Sequence, residues 1–93
     1  MTVDAIKCEL NYLRECVQMH SDTETIAELQ EKYIRLFNKL PDEFEIIMSE
    51  KFLNGKSNAQ VAKQLSYSKE TILKRTKKAI ELIADYMKSD SPQ

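Results

Sequence analysis

Apolar residues recur along this chain at spacings of three and four, which is the period of an amphipathic α-helix. The first stripe lies within residues 3–19 and consists of Ile6, Leu10, Leu13 and Val17, widened by Tyr12 and Cys16. A second helix is predicted over residues 22–38. Its apolar stripe consists of Ile26, Leu29, Tyr33, Leu36 and Phe37, and Leu40 continues the spacing just after it. Ser21 and Glu24 have the spacing of a capping box, so the second helix is expected to begin at Asp22.

A third helix is predicted after residue 40. Pro41 suits the first position of a helix, and the acidic Asp42 and Glu43 suit its positive N-terminal end. The buried positions of this helix are expected to be Phe44, Ile47, Met48 and Phe52. The helix should end at Asn54, because Gly55 readily takes the left-handed conformation that closes a helix.

The fourth and fifth helices are separated by a short turn. Ser57 is expected to cap the fourth helix in a second capping box with Gln60, and Ser68 is expected to cap the fifth. Ser66 and Tyr67 form the turn between the two helices. The inward-facing residues are predicted to be Val61, Ala62 and Leu65 in the fourth helix, and Ile72, Ala79, Ile80, Ile83 and Met87 in the fifth.

These elements predict an all-α fold, a five-helix small domain. One glycine and two prolines leave little turn chemistry for a hairpin-rich β fold. Residues 1–39 would form an N-terminal helical hairpin, residues 40–88 a tri-helical helix-turn-helix body, and residues 89–93 a disordered tail. Two interpretations of the hairpin stay open: its apolar stripes pack on the rest of the domain, or they form a homodimer or partner surface.

Charge is distributed unevenly along the chain, although the net charge is only −1. Residues 1–50 carry five Lys or Arg against eleven Asp or Glu, a net charge of −6. Residues 51–93 carry nine Lys or Arg against four Asp or Glu, a net charge of +5. A basic second half predicts a surface there for a polyanion.

Several function classes are not expected. No run of about 18 apolar residues indicates a membrane span, and the acidic Asp4 and Glu9 are unlike a signal peptide. Cys8 and Cys16 are separated by roughly 12 Å of helix, too far for a disulfide, so free thiols in a reducing cytoplasm are expected. With His20 as the sole histidine and no CxxC pair, we predict no metal site, cofactor, catalytic residue or small-molecule substrate. An enzyme is therefore not expected.

The start of the fifth helix is the predicted surface for DNA. Its first two turns present the residues expected to meet bases, which are Lys69, Glu70, Thr71, Leu73 and Lys74. Lysine can donate to guanine, glutamate can accept from cytosine, and leucine or a threonine methyl can touch a thymine methyl. Phosphate contacts are expected from residues near helix N-termini or with positive charge, namely Ser57, Asn58, Gln60, Ser68, Arg75, Lys77 and Lys78. Arg75 has a second interpretation, in which it lies across the helix pair and hydrogen-bonds the backbone.

Residues 40–83 resemble region 4 of bacterial sigma-70-type factors. The elements that carry the resemblance are Leu40-Pro41 with its acidic first turn, the apolar pair Ile47-Met48, Gly55-x-Ser57, the helix VAKQL, the serine-started helix after Tyr67, and Lys78-Ala79-Ile80. The segments GKSN and SKETI also resemble LuxR-type C-terminal domains. A short acidic helical N-terminus before one such unit is similar to small phage-encoded transcriptional regulators of the ArpU/RinA kind. The resemblance implies that Lys69, Glu70, Thr71, Leu73 and Lys74 take the DNA-reading positions.

Residues and resemblance together predict a sequence-specific, double-stranded DNA-binding transcriptional regulator. It is expected to act as a homodimer through its N-terminal helices or with RNA polymerase. Two alternatives stay open. One is a protein-interaction module, an adaptor or inhibitor of RNA polymerase with the shape of region 4. The other is a phage DNA-packaging protein like a small terminase subunit, which would form a ring.

Overall fold

Five α-helices make up most of the chain that the structure describes. The structure, a computed structural model, describes residues 2–19 and 24–90, with only the backbone of residues 89 and 90. The helices are α1 (Val3–Gln18), α2 (Glu24–Asn38), α3 (Asp42–Met48), α4 (Asn58–Leu65) and α5 (Lys69–Asp90), and a π-helical segment, Ser49–Leu53, continues α3. These ranges contain no strand, so the predicted all-α fold with five helices is confirmed. None of the helices within them is long and apolar enough to cross a membrane.

Pro41 lies at the N-cap of α3 and not at the predicted first helical position. Its ψ of 148° keeps its backbone extended, so the helical conformation begins one residue later, at Asp42. The Pro41 carbonyl oxygen accepts the backbone N–H groups of Phe44 and Glu45, each at 2.9 Å. The prediction of a helix start here is confirmed, and its position is corrected by one residue.

The ends of the described ranges bear on three other predictions. α5 continues to Asp90, so the first two residues of the predicted disordered tail, 89 and 90, are helical. Ser21 of the predicted Ser21–Glu24 capping box lies outside the described ranges. Residues 91–93 of the predicted tail also lie outside them. α1 begins behind a cap that the sequence analysis did not assign, in which Thr2 Oγ1 accepts the N–H group of Ala5 at 3.2 Å.

Gly55 closes the third helical stretch in the left-handed conformation that the sequence predicts. Its φ is +72°, and it directly follows the C-cap residue Asn54. The position is also crowded, because Gln18 Nε2 donates to the Gly55 carbonyl oxygen at 2.9 Å. A Cβ atom on residue 55 would lie 3.1 Å from Gln18 Cγ. Gly55 therefore joins the end of the π-helical segment to the end of α1.

One apolar core joins the two halves of the chain. Its buried residues come from every helix except α4, and they are Ile6, Leu10, Leu13, Cys16, Ile26, Tyr33, Leu36, Phe37, Leu40, Met48, Phe52, Ala79, Ile80, Ile83 and Ala84. A second, smaller cluster of Ile47, Val61, Ala62 and Ile72 holds α4 against α3 and α5. The apolar stripes of α1 and α2 are thus buried against residues 40–88 of the same chain.

Most predicted core positions are buried, and the exceptions follow from helix geometry. Tyr12 was expected to widen the α1 stripe, but it is 51% exposed because it lies about 100° around the helix from Leu13. The residues that are half-buried at the edges of their stripes are Val17, Leu29, Phe44, Leu65 and Met87. Thr76 and Lys51 were not predicted to be buried, but each lies four residues after an inward-facing isoleucine, Ile72 and Ile47, and both are buried.

A polar contact ties α1 to α2 beside this core. Tyr33 Oη donates to Glu9 Oε1 at 2.5 Å, and Lys32 Nζ donates to the same oxygen at 3.0 Å. Burial, and then the hydrogen bond to the Glu9 carboxylate, raise the pKa of Tyr33. The phenol therefore stays neutral and keeps donating to Glu9 across the ordinary pH range.

Lys51 places a charged side chain in the interior. It is only 7% exposed, and its Nζ lies 3.2 Å from Thr76 Oγ1 and 5.0 Å from the centre of the Phe52 ring. No carboxylate within the described residues pairs with it. Burial and the nearby positive charge of Arg14 lower the pKa of Lys51 to about 8. Its ammonium form is therefore costly at neutral pH.

Replacing Lys51 by methionine should stabilise the protein. Lys51→Met keeps an unbranched side chain and removes the buried charge, so we expect a gain of about 1–2 kcal/mol at pH 7. The folded pKa of about 8 lies below the unfolded value of about 10.4. The unfolded wild type therefore binds more protons between these values, and its stability should rise with pH there. Urea unfolding of both proteins across this range should show the gain shrinking.

Lys63→Met is the matched control, because Lys63 is exposed on α4. Its effect on stability should be small and independent of pH between about 7 and 10. The other titratable groups are the same in all three proteins, so only the differences in stability between the proteins are compared. A stability difference between Lys51→Met and wild type that stays constant over this range would contradict the buried, depressed lysine.

Replacing Gly55 by alanine should destabilise the protein by about 1–2 kcal/mol, because L side chains are strained at positive φ. Gly55→Asn is the comparison, since asparagine tolerates the left-handed conformation but still introduces a Cβ atom. We expect the asparagine variant to lose less stability in thermal or urea unfolding. Equal losses would mean that crowding against Gln18, and not the backbone conformation, sets the cost.

Candidate nucleic-acid interface

Side-chain caps fix the starts of both α4 and α5. Ser57 Oγ accepts the Gln60 N–H at 3.2 Å, and Gln60 Oε1 accepts the Ser57 N–H at 2.9 Å, so the predicted capping box is confirmed. At the start of α5, Ser68 Oγ accepts the Thr71 N–H at 3.2 Å, which confirms the second predicted cap. The hydroxyl oxygens of Ser68 and Thr71 are also 2.9 Å apart. Two helices with defined starts thus face each other across a short turn.

The turn between α4 and α5 depends on a serine in a left-handed conformation. Ser66 has φ 60° and ψ 35°, and the Tyr67 N–H donates to the Ala62 carbonyl oxygen at 2.9 Å. This conformation costs a residue with a Cβ atom about 1–2 kcal/mol. The position of the turn agrees with the sequence prediction. Its handedness has no sequence signal, because glycine is the usual residue there.

Buried contacts fix which face of α5 points outward. Ile72 packs with Val61, Ala62 and Ile47 in the smaller cluster. One turn later Thr76 is buried, and its hydroxyl donates to the Ile72 carbonyl oxygen at 2.7 Å while accepting from Lys51 Nζ. Rotation of α5 would break these contacts, so its opposite face is held towards solvent.

That opposite face carries the residues predicted to meet bases. Four of the five are exposed, namely Lys69, Glu70, Leu73 and Lys74, and Thr71 is half-buried beside its cap. Leu73 lies among them with 52% of its surface exposed, which is ordinary for a single surface leucine. The structure therefore brings the predicted base-contacting residues together on the first two turns of α5.

The lysines of this face are not neutralised by neighbouring carboxylates. Within the described residues, Lys69, Lys74, Lys77 and Lys78 have no ion pair. Glu70 is the only acidic residue between positions 69 and 78. The lysines lie within about three helical turns, so their fields add and create a positive potential along the start of α5.

The polar residues predicted to contact phosphate are already used in part by the fold. Ser57, Gln60 and Ser68 form the caps described above. Asn58 is half-buried, and its Oδ1 atom has no hydrogen-bond partner within the described residues. The amide N–H₂ groups of Asn58 and Gln60 remain donors that an anion near the α4 N-terminus could meet. The structure thus places these residues at two neighbouring helix starts.

Arg75 differs from the other basic residues of α5. Its guanidinium carbon lies 4.5 Å from the centre of the Tyr67 ring, and its Nη1 lies 3.8 Å from Glu43 Oε2. The distance to Glu43 is too long for a hydrogen bond, so Arg75 and Glu43 form an ion pair without one. Arg75 therefore braces α5 against the turn and α3. This geometry agrees with a side chain that lies across the helix pair, although its partners are side chains and not the backbone.

Lys56 is likewise held within the fold. Its Nζ lies 2.5 Å from Glu50 Oε2 and 2.6 Å from Gln64 Oε1, which connects the π-helical segment to α4. The hydrogen bond from Lys56 is the main cause that lowers the pKa of Glu50. This contact could not be predicted from the sequence, because Glu50 and Gln64 are six and eight residues away from Lys56 on different elements.

The described residues contain no cluster of three or more side chains that could hold a metal ion. Comparison with known proteins finds no relative for this chain: no family model matches it, and neither a curated protein nor a solved structure matches it. The resemblance to sigma region 4 therefore stays a prediction from the sequence.

Proposed function

We propose that this protein is a sequence-specific, double-stranded DNA-binding transcriptional regulator, with α5 as its recognition helix. The observation that carries the proposal is a set of lysines on the first turns of α5, directly after a capped helix and a short turn, that have no ion pair within the part of the chain that the structure describes. A helix of this kind fits the major groove of DNA, where its N-terminal residues meet base edges. The cost of gathering these like charges on one face is repaid when phosphates approach.

The residues of α5 divide into two groups in this proposal. Lys69, Glu70, Leu73 and Lys74 would read base edges, with Thr71 at their border. Lys77 and Lys78 lie one or more turns further along and would contact phosphates, together with the amide groups at the α4 N-terminus. Arg75 would act indirectly, because its contacts with Tyr67 and Glu43 hold α5 in position.

One helix-turn-helix unit contacts few bases, so specific binding usually needs a second unit or a partner protein. We propose that the protein acts as a dimer or with RNA polymerase in the cytoplasm, where its free Cys8 and Cys16 would stay reduced. It would act by binding and not as an enzyme. A protein-interaction module and a ring-forming DNA-packaging protein are the alternatives that the test below separates.

The test begins by selecting bound sequences from a random pool of duplex DNA. At the selected site, Lys69→Ala/Lys74→Ala should weaken binding by about 30-fold to about 10⁴-fold, because each base contact contributes about 1–3 kcal/mol and every 1.4 kcal/mol is a factor of about ten. Binding measured over a series of salt concentrations should also show a smaller salt slope if either lysine meets phosphate. Circular dichroism checks that the double variant stays folded.

Lys7→Ala/Lys88→Ala is the matched control, since both lysines are exposed, have no ion pair within the described residues, and lie away from the first turns of α5. It removes the same charge and should leave affinity nearly unchanged. Equal losses in both double variants would contradict the assigned face. No binding to any duplex at low salt would favour the interaction module, and a large ring seen by mass measurement would favour the packaging protein.

A further inference from the structure

A groove of about 610 Å³ lies beside α5, between α3, the π-helical segment and the α4–α5 turn. Three apolar or aromatic side chains line it, namely Ile46, Leu65 and Tyr67. Ile46 and Tyr67 are 42% and 40% exposed, so apolar surface remains open to solvent there. The rest of the lining is polar and mostly acidic: Asp42, Glu43, Glu45, Ser49 and Glu50.

Two of these carboxylates are balanced within the fold and two are not. Glu50 is paired with Lys56, and Glu43 faces Arg75. Asp42 and Glu45 have no ion pair within the described residues. The groove therefore combines an open apolar surface with uncompensated negative charge. Its best occupant is an apolar side chain surrounded by cations.

The same chain presents such a surface on α5. Leu73 is 52% exposed, with Lys69 and Lys77 four residues before and after it. Residues four apart lie on one face of a helix, so the leucine is flanked by both lysines, and Lys74 is its neighbour. We refer to Lys69, Leu73, Lys74 and Lys77 as the lysine face. Glu70, three residues before Leu73, also lies there, so these side chains together carry a net charge of +2. That charge is opposite to the charge of the groove, and both surfaces have apolar centres.

The lysine face cannot be filling the groove of its own copy, because Leu73, Ile46 and Tyr67 are all exposed in the single chain. We propose that the groove binds the lysine face of a second copy of this chain. Leu73 of one copy would pack on Ile46 and Tyr67 of the other, with Lys69 and Lys74 near Asp42 and Glu45. Both surfaces belong to the α3–α5 region, so a two-fold dimer can make the contact twice.

This self-association does not rest on the proposed function, but its consequence does. The lysine face is the surface proposed to bind DNA, so a copy engaged in the dimer would have that surface covered. DNA and the second copy would then compete, and each would weaken the apparent binding of the other. In this dimer the surface proposed to bind DNA would be covered, so the two copies would have to separate before that surface could bind DNA.

Sedimentation velocity of the full chain without DNA tests the contact. The wild type should dimerise between about 10 μM and 1 mM protein at about 0.01 M salt, where the Debye length is about 30 Å. At about 1 M salt, where that length is about 3 Å, the dimer should be at least tenfold weaker. A wild type that stays monomeric up to about 1 mM at low salt would overturn the proposal.

Charge reversal identifies the two surfaces. The groove variant Asp42→Lys/Glu45→Lys and the face variant Lys69→Glu/Lys74→Glu should each be monomeric alone. Their equimolar mixture should associate again, because every contact then joins opposite charges. The milder Asp42→Asn/Glu45→Gln should weaken the dimer without abolishing it, and it serves if the reversed groove variant fails to fold by circular dichroism. A mixture of folded variants that stays monomeric would overturn the assigned contact.

Glu15→Lys/Glu28→Lys is the control for net charge, because both residues are exposed on α1 and α2, outside the groove. It should dimerise like the wild type, and loss of its dimer would overturn the assigned contact. Adding a duplex selected as above should break the groove contact as DNA binds; a duplex bound equally well by the dimer joined through the groove would overturn the competition. Self-association in a chain that binds no duplex would overturn the proposed function alone.

Discussion

The packing of the inner side of α5 is the contact on which the rest of this structure depends. Ile72 belongs to the small cluster that holds α4, whereas Ala79, Ile80 and Ile83 belong to the large core that also contains α1 and α2. A buried aliphatic side chain contributes about 1.5–3 kcal/mol, so these few residues supply much of the stability of a small chain. Because one helix serves both clusters, its outward face has a single orientation.

Some charged side chains of this protein form ion pairs between elements, and others have no ion-pair partner within the part of the chain that the structure describes. Those at the junctions between elements are paired or stacked: Lys56 with Glu50, Arg75 with Glu43 and Tyr67, and Lys32 with Glu9. On the outer face of α5 the lysines have no ion pair within the described residues, and in the groove beside it Asp42 and Glu45 have none. Lys51 is the exception, a buried cation that opposes folding and that only a hydroxyl and a ring accompany. The outer face of α5 and the groove beside it thus carry charges of opposite sign.

This arrangement bears on how the first half of the chain relates to the second. The apolar stripes of α1 and α2 are buried in the core of a single chain, and the acidic side chains of these helices point outward. The predicted dimer through the N-terminal helices stays a prediction, and it would have to use the outward faces of α1 and α2. The groove and the lysine face offer a different contact, one that leaves the core intact and that uses the same residues proposed to meet DNA. Self-association and DNA binding would then be alternative states of one surface.

Much of the candidate site could be predicted before the fold was seen. The helical period placed Ile72 and Ala79 inward and hence Lys69, Leu73 and Lys74 outward, and the serine caps placed the helix starts, because both depend on residues within one or two turns. The left-handed Gly55 was predictable for the same reason. The contacts that involve distant elements were not: the bracing of Arg75 by Tyr67 and Glu43, the Lys56–Glu50 pair, and the groove itself.

The sequence by itself determined the helices, their caps and the two-sided character of α5, since these follow from local spacing and backbone chemistry. Only the tertiary structure decided what those helices are packed against. It buried Lys51 beside Thr76. The lysine lies on the inward stripe, four residues after Ile47, but its burial was not predicted because an unpaired lysine is almost never buried. The tertiary structure also placed an acidic groove next to a basic helix, because charges far apart in the chain meet only when the core forms.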